Sequence, residues 1–346
     1  MTKADKKLYS ELRNKNGGGG RIDLSQAVPL AGPMSIYLET TNICNFKCIF
    51  CPESFSDYKE RTGGLFQLQP PDFEYIAKQI KQIGGLKTLN FYVMGEPFVN
   101  KNLINYIKLA KKLKISERLI VTSNGTLITK DKYQAICESG LDYLRISIYG
   151  PNEEKHKTNT QSKIKLDVVI KNILGLKKFR DENGFNSPHI YIKMIESTDP
   201  QNNQDFLSTF KDVGDEIRIE PVANWNDPDG KNLSQIDKES LQAMPYFSFK
   251  KEACPFPFYT LAIHSDMKVS VCCVDWEKMT VIGDLRNNTL EEIWRGEELF
   301  NFQLKHIQRK RSELAGCKNC TFLHTTIDSI DGLKEQDFIA RKNNSL

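Results

Sequence analysis

Three of the nine cysteines stand close together in the segment TTNICNFKCIFCPES, at residues 40–54. Cys44, Cys48 and Cys51 follow C-x3-C-x2-C spacing, and no histidine lies near them. A structural zinc site usually closes with four ligands, and this segment supplies only three. Three thiolates that leave one position open suit a 4Fe-4S cluster whose fourth iron binds a group other than protein. The segment therefore predicts an iron-sulfur site, with zinc as the alternative.

A second set of four cysteines follows C-x17-C-x44-C-x2-C spacing and consists of Cys254, Cys272, Cys317 and Cys320. Four thiolates can hold zinc as well as iron and sulfur, so the spacing alone leaves the metal open. The intervening sequence predicts a hairpin (YTLAIH, the turn SDMK, then VSVCCV), the segment IGDL, and a helix capped by Asn288 or Thr289. We interpret Cys273 and Cys137 as structural residues.

The composition limits the classes of function. The 48 basic and 44 acidic residues leave a net charge of +4, which is too small to indicate a nucleic-acid-binding surface. The polar N-terminus shows no signal peptide, and no apolar run is long enough to span a membrane. We therefore expect a cytoplasmic protein that does not bind membranes, whose cysteines serve as metal ligands or catalytic thiols rather than as disulfides.

Short apolar runs alternate with longer amphipathic stretches from residue 34 onward, a rhythm typical of parallel βαβ units. Six units are fewer than the eight of a closed barrel, so we expect an open, partial barrel. The rhythm changes after residue 222, which indicates a domain boundary near 225–250. The predicted strands are 34–40, 88–93, 118–123, 143–149, 189–195 and 216–222.

The first cysteine loop, with Phe50 at the aromatic position of C-x3-C-x-aromatic-C, resembles that of the radical S-adenosylmethionine (radical SAM) superfamily. The resemblance implies that the open iron chelates the amino and carboxylate groups of SAM. It also implies that an electron from the cluster cleaves SAM to a 5'-deoxyadenosyl radical. Phe50 would then lie along the adenine.

Three strand ends also resemble SAM-contacting segments of that superfamily. VMGEP looks like its Gly-Gly-Glu segment, although Met94 stands in place of the first glycine. TSNGT and RISIYG end the third and fourth predicted strands. The resemblance implies that these segments bind the amino group, ribose or carboxylate of SAM through Gly95, Glu96, Ser123, Asn124 and Ser147.

The second cysteine set, together with IGDLRNNTLEEIW, resembles the auxiliary-cluster region of SPASM and twitch domains. Full SPASM domains carry seven cysteines, so four fit the shorter twitch version with one auxiliary 4Fe-4S cluster. The resemblance implies an α/β fold, a partial (β/α)6 barrel of parallel strands followed by a small twitch domain made of a β-hairpin and a helix. The predicted organisation is a flexible arm (1–33), the barrel (34–235), the auxiliary domain (236–330) and a tail (331–346).

Cluster layout resembles that of twitch-domain dehydrogenases that act on a cyclitol. It implies an oxidoreductase that abstracts hydrogen from a small carbohydrate-like or cyclitol substrate and passes an electron to the auxiliary cluster, which turns an alcohol into a ketone. An external donor such as flavodoxin or ferredoxin would reduce the first cluster. Candidates for the proton-accepting base at the strand ends are Tyr149, Lys193, Arg218 and Glu220.

Two other functions stay open. A peptide-modifying radical SAM enzyme or epimerase is one, although the 33 residues before the first strand are few for a peptide-recognition domain. The other is a non-enzymatic iron-sulfur or zinc binding module, which would have no need for an open three-cysteine loop or for SAM-like strand ends.

Overall fold

The computed structural model describes residues 23–220 and 251–343 and is built around one nine-stranded sheet in the order β6-β5-β4-β3-β2-β1-β7-β8-β9. Strands β1 to β6 are parallel to their neighbours, and β7 pairs with β1 in parallel before β8 and β9 turn back antiparallel. The strands are β1 (Ser35–Leu38), β2 (Leu86–Phe91), β3 (Ser116–Ser123), β4 (Tyr143–Ile148), β5 (His189–Ile195), β6 (Glu216–Glu220), β7 (Thr260–Ile263), β8 (Lys268–Ser270) and β9 (Val281–Asp284).

Helices connect the parallel strands and cover the outer face of the sheet. Several begin at side-chain caps, such as Asn152, which accepts a hydrogen bond from the Lys155 amide, and Asp199, which is followed by a proline. The described helices are α1 (Leu24–Ala27), α2 (Tyr58–Arg61), α3 (Pro70–Gln82), α4 (Leu103–Leu113), α5 (Tyr133–Cys137), α6 (Glu153–Thr160), α7 (Leu166–Glu182), α8 (Pro200–Phe210), α9 (Leu290–Arg295), α10 (Glu297–Ile307) and α11 (Glu335–Asn343).

Alternation along each strand divides the sheet into an apolar face and a polar face. On β4, Leu144, Ile146 and Ile148 belong to the main core, in which the helices pack against the sheet. The intervening residues Arg145 and Ser147 lie on the opposite face. The concave side of the barrel therefore carries the side chains that are available for chemistry.

The fold prediction is confirmed: the protein is α/β, with six parallel strands in an open, partial barrel. All six predicted strands are present, some a few residues shorter than predicted. The predicted hairpin forms β7 and β8, and Thr289 caps α9 with a capping box that includes Glu292. The hairpin is joined to the barrel more closely than a separate domain would be, because β7 continues the same sheet beside β1.

The first and last segments that the structure describes pack together. Val28, from the segment predicted as an arm, and Phe338 on α11, from the segment predicted as a tail, are both buried in one apolar cluster. Residues 1–22 of the predicted arm and the boundary predicted at 235/236 lie outside the described residues. No described helix is long and apolar enough to cross a membrane.

Candidate active site

The loop after β1 carries Cys44, Cys48 and Cys51 at the carboxyl end of the barrel. It is held by hydrogen bonds to the end of α6, from the Lys47 amide to the Thr160 carbonyl (3.1 Å) and from the Ile49 amide to the Asn159 carbonyl (2.9 Å). Within the loop, the Cys51 amide donates to the Cys48 carbonyl (2.9 Å) and the Phe46 amide donates to Cys44 Sγ (3.4 Å). These bonds hold the loop, and with it the three cysteines, against the end of α6.

The three thiols suit a 4Fe-4S cluster. Burial raises the pKa of each thiol, to about 12 for Cys51, and repulsion from neighbouring thiolates contributes at Cys44 and Cys48. The thiols therefore lie near one another in a poorly solvated space, where iron would replace their protons. Because only three thiols meet here, one iron would keep an open position.

Gly95 lets the loop after β2 approach the cysteine loop. Its φ is +74°, and a Cβ atom there would lie 2.3 Å from the Thr41 carbonyl oxygen and 2.9 Å from the Ile43 amide nitrogen. The next residue, Glu96, donates its amide hydrogen to the Ile43 carbonyl (3.0 Å). Only glycine satisfies both the positive φ and the close backbone contact.

Glu96 ties this loop to the end of β3. Its carboxylate accepts hydrogen bonds from Ser123 Oγ (2.8 Å), the Asn124 amide (2.7 Å) and the Phe98 amide (3.1 Å). Burial raises the pKa of Glu96 to about 7, although these hydrogen bonds oppose the shift. The side chains of Glu96 and Ser123 thus bond to each other, which positions the backbone around them.

Asn124 connects the end of β3 to the cysteine loop. Its Nδ2 donates to Asn45 Oδ1 (2.8 Å) and lies 4.0 Å from Cys44 Sγ, and its Oδ1 accepts from the Thr126 amide (3.0 Å). Asn45 in turn donates to Thr126 Oγ1 (2.8 Å). The predicted SAM-contacting segments at 95–96 and 123–124 therefore form a continuous hydrogen-bonded support around the first cysteine site.

An open cavity of about 910 Å³ lies beside the cysteine loop. Phe50 and Tyr149 line it with their rings 5.3 Å apart, and the segment after β5 closes the other side. Burial raises the pKa of Tyr149, and a hydrogen bond with Ser147 opposes the shift. The residues at and after the end of β5 that line the cavity were not predicted as site residues from the sequence, and they are Met194, Ile195, Glu196, Ser197, Thr198 and Asn202.

A second, small cavity is lined by all four cysteines of the C-terminal set, Cys254, Cys272, Cys317 and Cys320. Its other walls are mainly apolar, with Asp275 and Arg311 as the charged side chains. Burial raises the pKa of the Cys320 thiol to about 12, and the thiolate of Cys272 adds to the shift. Four thiols around one dry space match the ligand set of an auxiliary 4Fe-4S cluster.

The adjacent cysteines 272 and 273 serve different surroundings. Cys272 lines the second cavity, whereas Cys273 is buried on the barrel side, where its thiolate raises the pKa of Tyr37 after the larger effect of burial. Cys137 is buried in the main core on α5. Both placements agree with the structural interpretation of these two residues.

A charged cluster occupies the polar face of β4, β5 and β6, and we call it the Arg145 cluster. Glu220 is at its centre and accepts hydrogen bonds from Arg145 Nη2 (2.9 Å), Lys193 Nζ (2.7 Å) and Tyr191 OH (2.7 Å). Arg145 Nη1 also donates to Tyr92 OH (3.0 Å). Arg145 on β4 thus contacts Tyr92, which follows β2, and Glu220 on β6. The sheet must curve around Arg145 for both contacts to form.

The Arg145 cluster is only partly solvated. The charged side chains of Arg145, Lys193 and Glu220 are 21–28% exposed. Burial opposes ionisation of Glu220, but Lys193 and Arg145 outweigh it and lower the pKa of Glu220 to about 2. Burial and the charge of Arg145 lower the pKa of Lys193. Clusters with shifted pKa values at a barrel opening are typical of functional sites.

The structure brings together two of the four predicted base candidates, Lys193 and Glu220. Tyr149 lies instead beside the first cysteine site, and Arg218 is paired with Glu216 Oε1 (2.6 Å) with a side chain that is 63% exposed. Arg145, Tyr92 and Tyr191 were not identified from the sequence. The alternation of Arg145 with Ser147 and Tyr149 along one strand was the signal that could have identified it.

Two family models match the chain, the radical SAM superfamily over residues 38–199 and an iron-sulfur cluster-binding domain of the SPASM type over residues 254–321. The S-adenosyl-L-methionine-dependent 2-deoxy-scyllo-inosamine dehydrogenase of Niallia circulans is 21% identical over 287 residues, which cover 82% of this chain and 91% of that protein. The GTP 3',8-cyclase of Aquifex aeolicus is 26% identical, covering 67% of this chain and 68% of that protein.

Solved structures share the fold. The structure of BtrN with AdoMet and 2-DOIA is similar with a TM-score of 0.53 and 17% identity, covering 83% of this chain and 92% of that one. Streptococcus suis SuiB bound to S-adenosylmethionine is similar with a TM-score of 0.63 and 15% identity, covering 87% and 74%. These two matches show that the chain contains a radical SAM domain and a C-terminal SPASM-type iron-sulfur domain, and the two cysteine sets lie within them.

Proposed function

We propose that this radical SAM enzyme oxidises an alcohol of a small cyclitol or carbohydrate-like substrate to a ketone. When bound, the first cluster and SAM supply the radical that removes hydrogen from the carbinol carbon. The substrate radical would then lose its hydroxyl proton to a protein base and one electron to the auxiliary cluster, which Cys254, Cys272, Cys317 and Cys320 would hold. This balance leaves a carbonyl group, 5'-deoxyadenosine and methionine.

The observation that carries this proposal is a row of packed side chains that leads from the Arg145 cluster toward the auxiliary cysteines. The guanidinium of Arg145 lies 5.7 Å from the ring centre of Tyr92, and the Tyr92 and Tyr37 rings pack edge to face at 5.5 Å. Burial raises the pKa of Tyr37, and the thiolates of Cys273 and Cys272 add to the shift, so Tyr37 lies on the side of the barrel that faces these cysteines. A substrate held at the Arg145 cluster would therefore lie at one end of a row of tyrosine rings that leads toward the electron acceptor.

The composition of the Arg145 cluster suits a substrate with several polar groups. A guanidinium, an ammonium and a carboxylate next to two tyrosine hydroxyl groups offer donors and acceptors at fixed positions. The hydroxyl or amino groups of a cyclitol could pair with them, whereas an apolar substrate would leave them without partners. The likeness to the 2-deoxy-scyllo-inosamine dehydrogenase, which spans most of both chains, supports the same substrate class.

We assign the proton-accepting role to Lys193 together with Glu220. The pKa of Lys193 is lowered by burial and by Arg145, so Lys193 becomes neutral more easily than an exposed lysine. The pKa of Glu220 is lowered to about 2 by Lys193 and Arg145 against the effect of burial, so Glu220 stays ionised and can hold the lysine that receives the proton. For Tyr149, whose ring lies beside that of Phe50, we propose a contact with SAM instead.

Reduction of the first cluster requires an external donor, for which we propose a flavodoxin or ferredoxin in the cytoplasm, because free thiols and low-potential clusters require a reducing compartment. The contact of Glu96 with Ser123 and Asn124 would position SAM through the backbone of residues 95–96, with Phe50 along the adenine.

The test is oxidation of aminocyclitols and cyclitols by anaerobically reconstituted enzyme with dithionite and SAM. We expect a ketone, trapped as an oxime, in a one-to-one ratio with 5'-deoxyadenosine, and deuterium from the carbinol carbon in the 5'-deoxyadenosine. The matched control is the Cys317→Ala variant, which removes one ligand of the auxiliary cluster. It should still cleave SAM but yield at least about tenfold less ketone, a loss of about 1.4 kcal/mol in transition-state stabilisation.

An inverted stereocentre with no change in oxidation state would replace dehydrogenation by epimerisation. Equal ketone yields from the Cys317→Ala variant would remove the auxiliary cluster from the reaction.

A further inference from the structure

Arg311 is the positively charged side chain among the residues that line the auxiliary cavity. Its Nη1 atom donates to the carbonyl groups of Cys317 and Cys320, the latter at 2.8 Å, and so bridges both ends of the C-x2-C segment. The Cys317 amide returns to the Leu314 carbonyl (2.9 Å), which closes the turn that begins after Arg311. Arg311 is therefore held in a fixed position against two of the four ligands.

The charge of Arg311 acts on the thiols across the cavity. Its guanidinium opposes the pKa increases that burial causes at Cys254 and Cys320. Two carboxylates of the described chain pair with other basic residues and not with Arg311. Glu313 pairs with Lys305, and Glu252 pairs with Arg309. The positive charge therefore faces the cysteine site without a carboxylate partner among the described residues.

The second charged group of the cavity is arranged differently. The Asp275 carboxylate accepts hydrogen bonds from the Met279 amide (2.9 Å), the Thr280 amide (2.7 Å) and Thr280 Oγ1 (2.6 Å). These donors lie on its own loop and offset part of its negative charge. The charge of Asp275 is thus partly offset by its own loop, whereas Arg311 bonds to backbone carbonyl groups of the cysteine turn.

We propose that Arg311 is a positioning residue that makes the auxiliary cluster a better electron acceptor. A cluster held by four thiolates becomes more negative on reduction, and cluster potentials depend on net charge and on hydrogen bonds nearby. A fixed guanidinium stabilises the more negative, reduced state more than the oxidised state. The inference rests on the proposed function, in which this cluster receives the electron from the substrate radical.

The test measures the reduction potential of the auxiliary cluster without any substrate. In the full chain, Cys44→Ala, Cys48→Ala and Cys51→Ala remove the first cluster, and electron paramagnetic resonance follows a redox titration of the second. Arg311→Gln keeps hydrogen-bond donors but loses the charge, whereas Arg311→Lys keeps the charge. Lys310→Gln is the matched control, because it removes a neighbouring charge that is exposed to solvent.

We expect Arg311→Gln to lower the one-electron reduction equilibrium about tenfold, which corresponds to about 59 mV. Arg311→Lys and Lys310→Gln should stay close to the parent protein. Iron content and unfolding temperature verify that each variant holds its cluster.

Three results would overturn the inference: an unchanged potential in Arg311→Gln, an equal shift in Arg311→Lys, or loss of the cluster from Arg311→Gln alone, which would mean a purely structural role. Because no substrate is used, none of these results depends on whether the enzyme is a dehydrogenase.

Discussion

Two carboxyl groups in the barrel, the buried Glu96 and the partly buried Glu220, have pKa shifts in opposite directions. Burial dominates at Glu96 and raises its pKa to about 7, because its partners are neutral donors. At Glu220 two positive side chains outweigh burial and lower the pKa to about 2. The two side chains are chemically identical, and their neighbours determine what each does. Glu96 supports a loop, whereas Glu220 holds a charged cluster.

The Glu96→Gln substitution should remove a pH-dependent term from stability. The folded-state pKa of about 7 lies above the ordinary value of 4.5, so the folded state binds more protons between these values and the stability that Glu96 contributes falls as pH rises from about 4.5 to about 7. Relative to Glu96→Gln, the parent protein should lose up to about 3 kcal/mol across that range. Urea unfolding at several pH values measures the free energy of unfolding of both proteins. If the stability of the parent protein relative to Glu96→Gln increased with pH, this account would be contradicted.

The Glu220→Gln substitution should disable the Arg145 cluster. It would leave Lys193 and Arg145 as neighbouring positive charges without their carboxylate. We expect substrate oxidation to fall about 100-fold, or about 2.7 kcal/mol, with substrate-independent SAM cleavage unchanged. Glu216→Gln is the matched control on the same strand, since Glu216 pairs with Arg218 and His189 away from the cluster. Equal losses in both variants would place the effect in the strand and not in the site.

The elements that matter most are the loops at the carboxyl ends of β1 to β5. Each loop contributes a different part of the site: thiols after β1, a glycine and a carboxylate after β2, an amide side chain after β3 and cavity walls after β4 and β5. Parallel strands bring these loops to one edge, so residues far apart in sequence become neighbours. The carboxylate of Glu96 is the joint between the second and third of these loops.

The Gly95→Ala substitution should prevent the loops after β1 and β2 from meeting. The added Cβ would clash with the Thr41 carbonyl oxygen at 2.3 Å, and φ is +74°. We expect iron to fall from about eight to about four atoms per chain, because only the first cluster is lost. Gly184→Ala is the matched control, with a φ of +72° and no atom within 4 Å, and it should cost only about 1 kcal/mol of backbone strain. Full iron content in Gly95→Ala would refute the role assigned to this contact.

Sequence analysis predicted the strands well because their signals are local. Alternation over a few residues identified β4, and the spacing of Cys317 and Cys320 predicted a turn that lies at the same cavity as Cys254 and Cys272. The Arg145 cluster depends on side chains from β4, β5 and β6 meeting across a curved sheet, which no short stretch of sequence encodes. Arg218 was predicted at the site, but in the structure it bonds to Glu216 on its own strand. Alternation with a period of two puts Arg218 on the same face of β6 as both Glu216 and Glu220, so the pattern does not distinguish a bond to Glu216 from a place in the Arg145 cluster.

At the scale of the whole molecule, the two family domains share one sheet. Strand β7 pairs with β1 over four residues, so the auxiliary domain extends the barrel sheet directly. Glu39 adds a buried link, since its Oε1 accepts from Ser265 Oγ at 2.7 Å and the Ser265 amide at 3.2 Å. This arrangement fixes the auxiliary cysteines relative to the concave face where we place the substrate.

The shared sheet predicts that both domains unfold together. In the iron-loaded protein, tryptophan fluorescence, which includes Trp276 and Trp294 of the C-terminal region, and far-ultraviolet circular dichroism should give one denaturant midpoint. Ser265→Ala should lower both midpoints equally, because it removes a donor from buried Glu39. The free energy of unfolding should fall by about 1–3 kcal/mol. Ser208→Ala, at an exposed site on α8, should change stability by less than about 0.5 kcal/mol. Two separate midpoints would show that the domains are independent.

The central claim is that one chain carries a SAM-cleaving cluster and a separate electron-accepting cluster. Its most direct test is to reconstitute the protein anaerobically, reduce it with SAM present, and quantify iron and 5'-deoxyadenosine per chain. The account predicts about eight irons, four at each cysteine site, together with SAM cleavage. About four irons, or no 5'-deoxyadenosine from fully loaded protein, would contradict it.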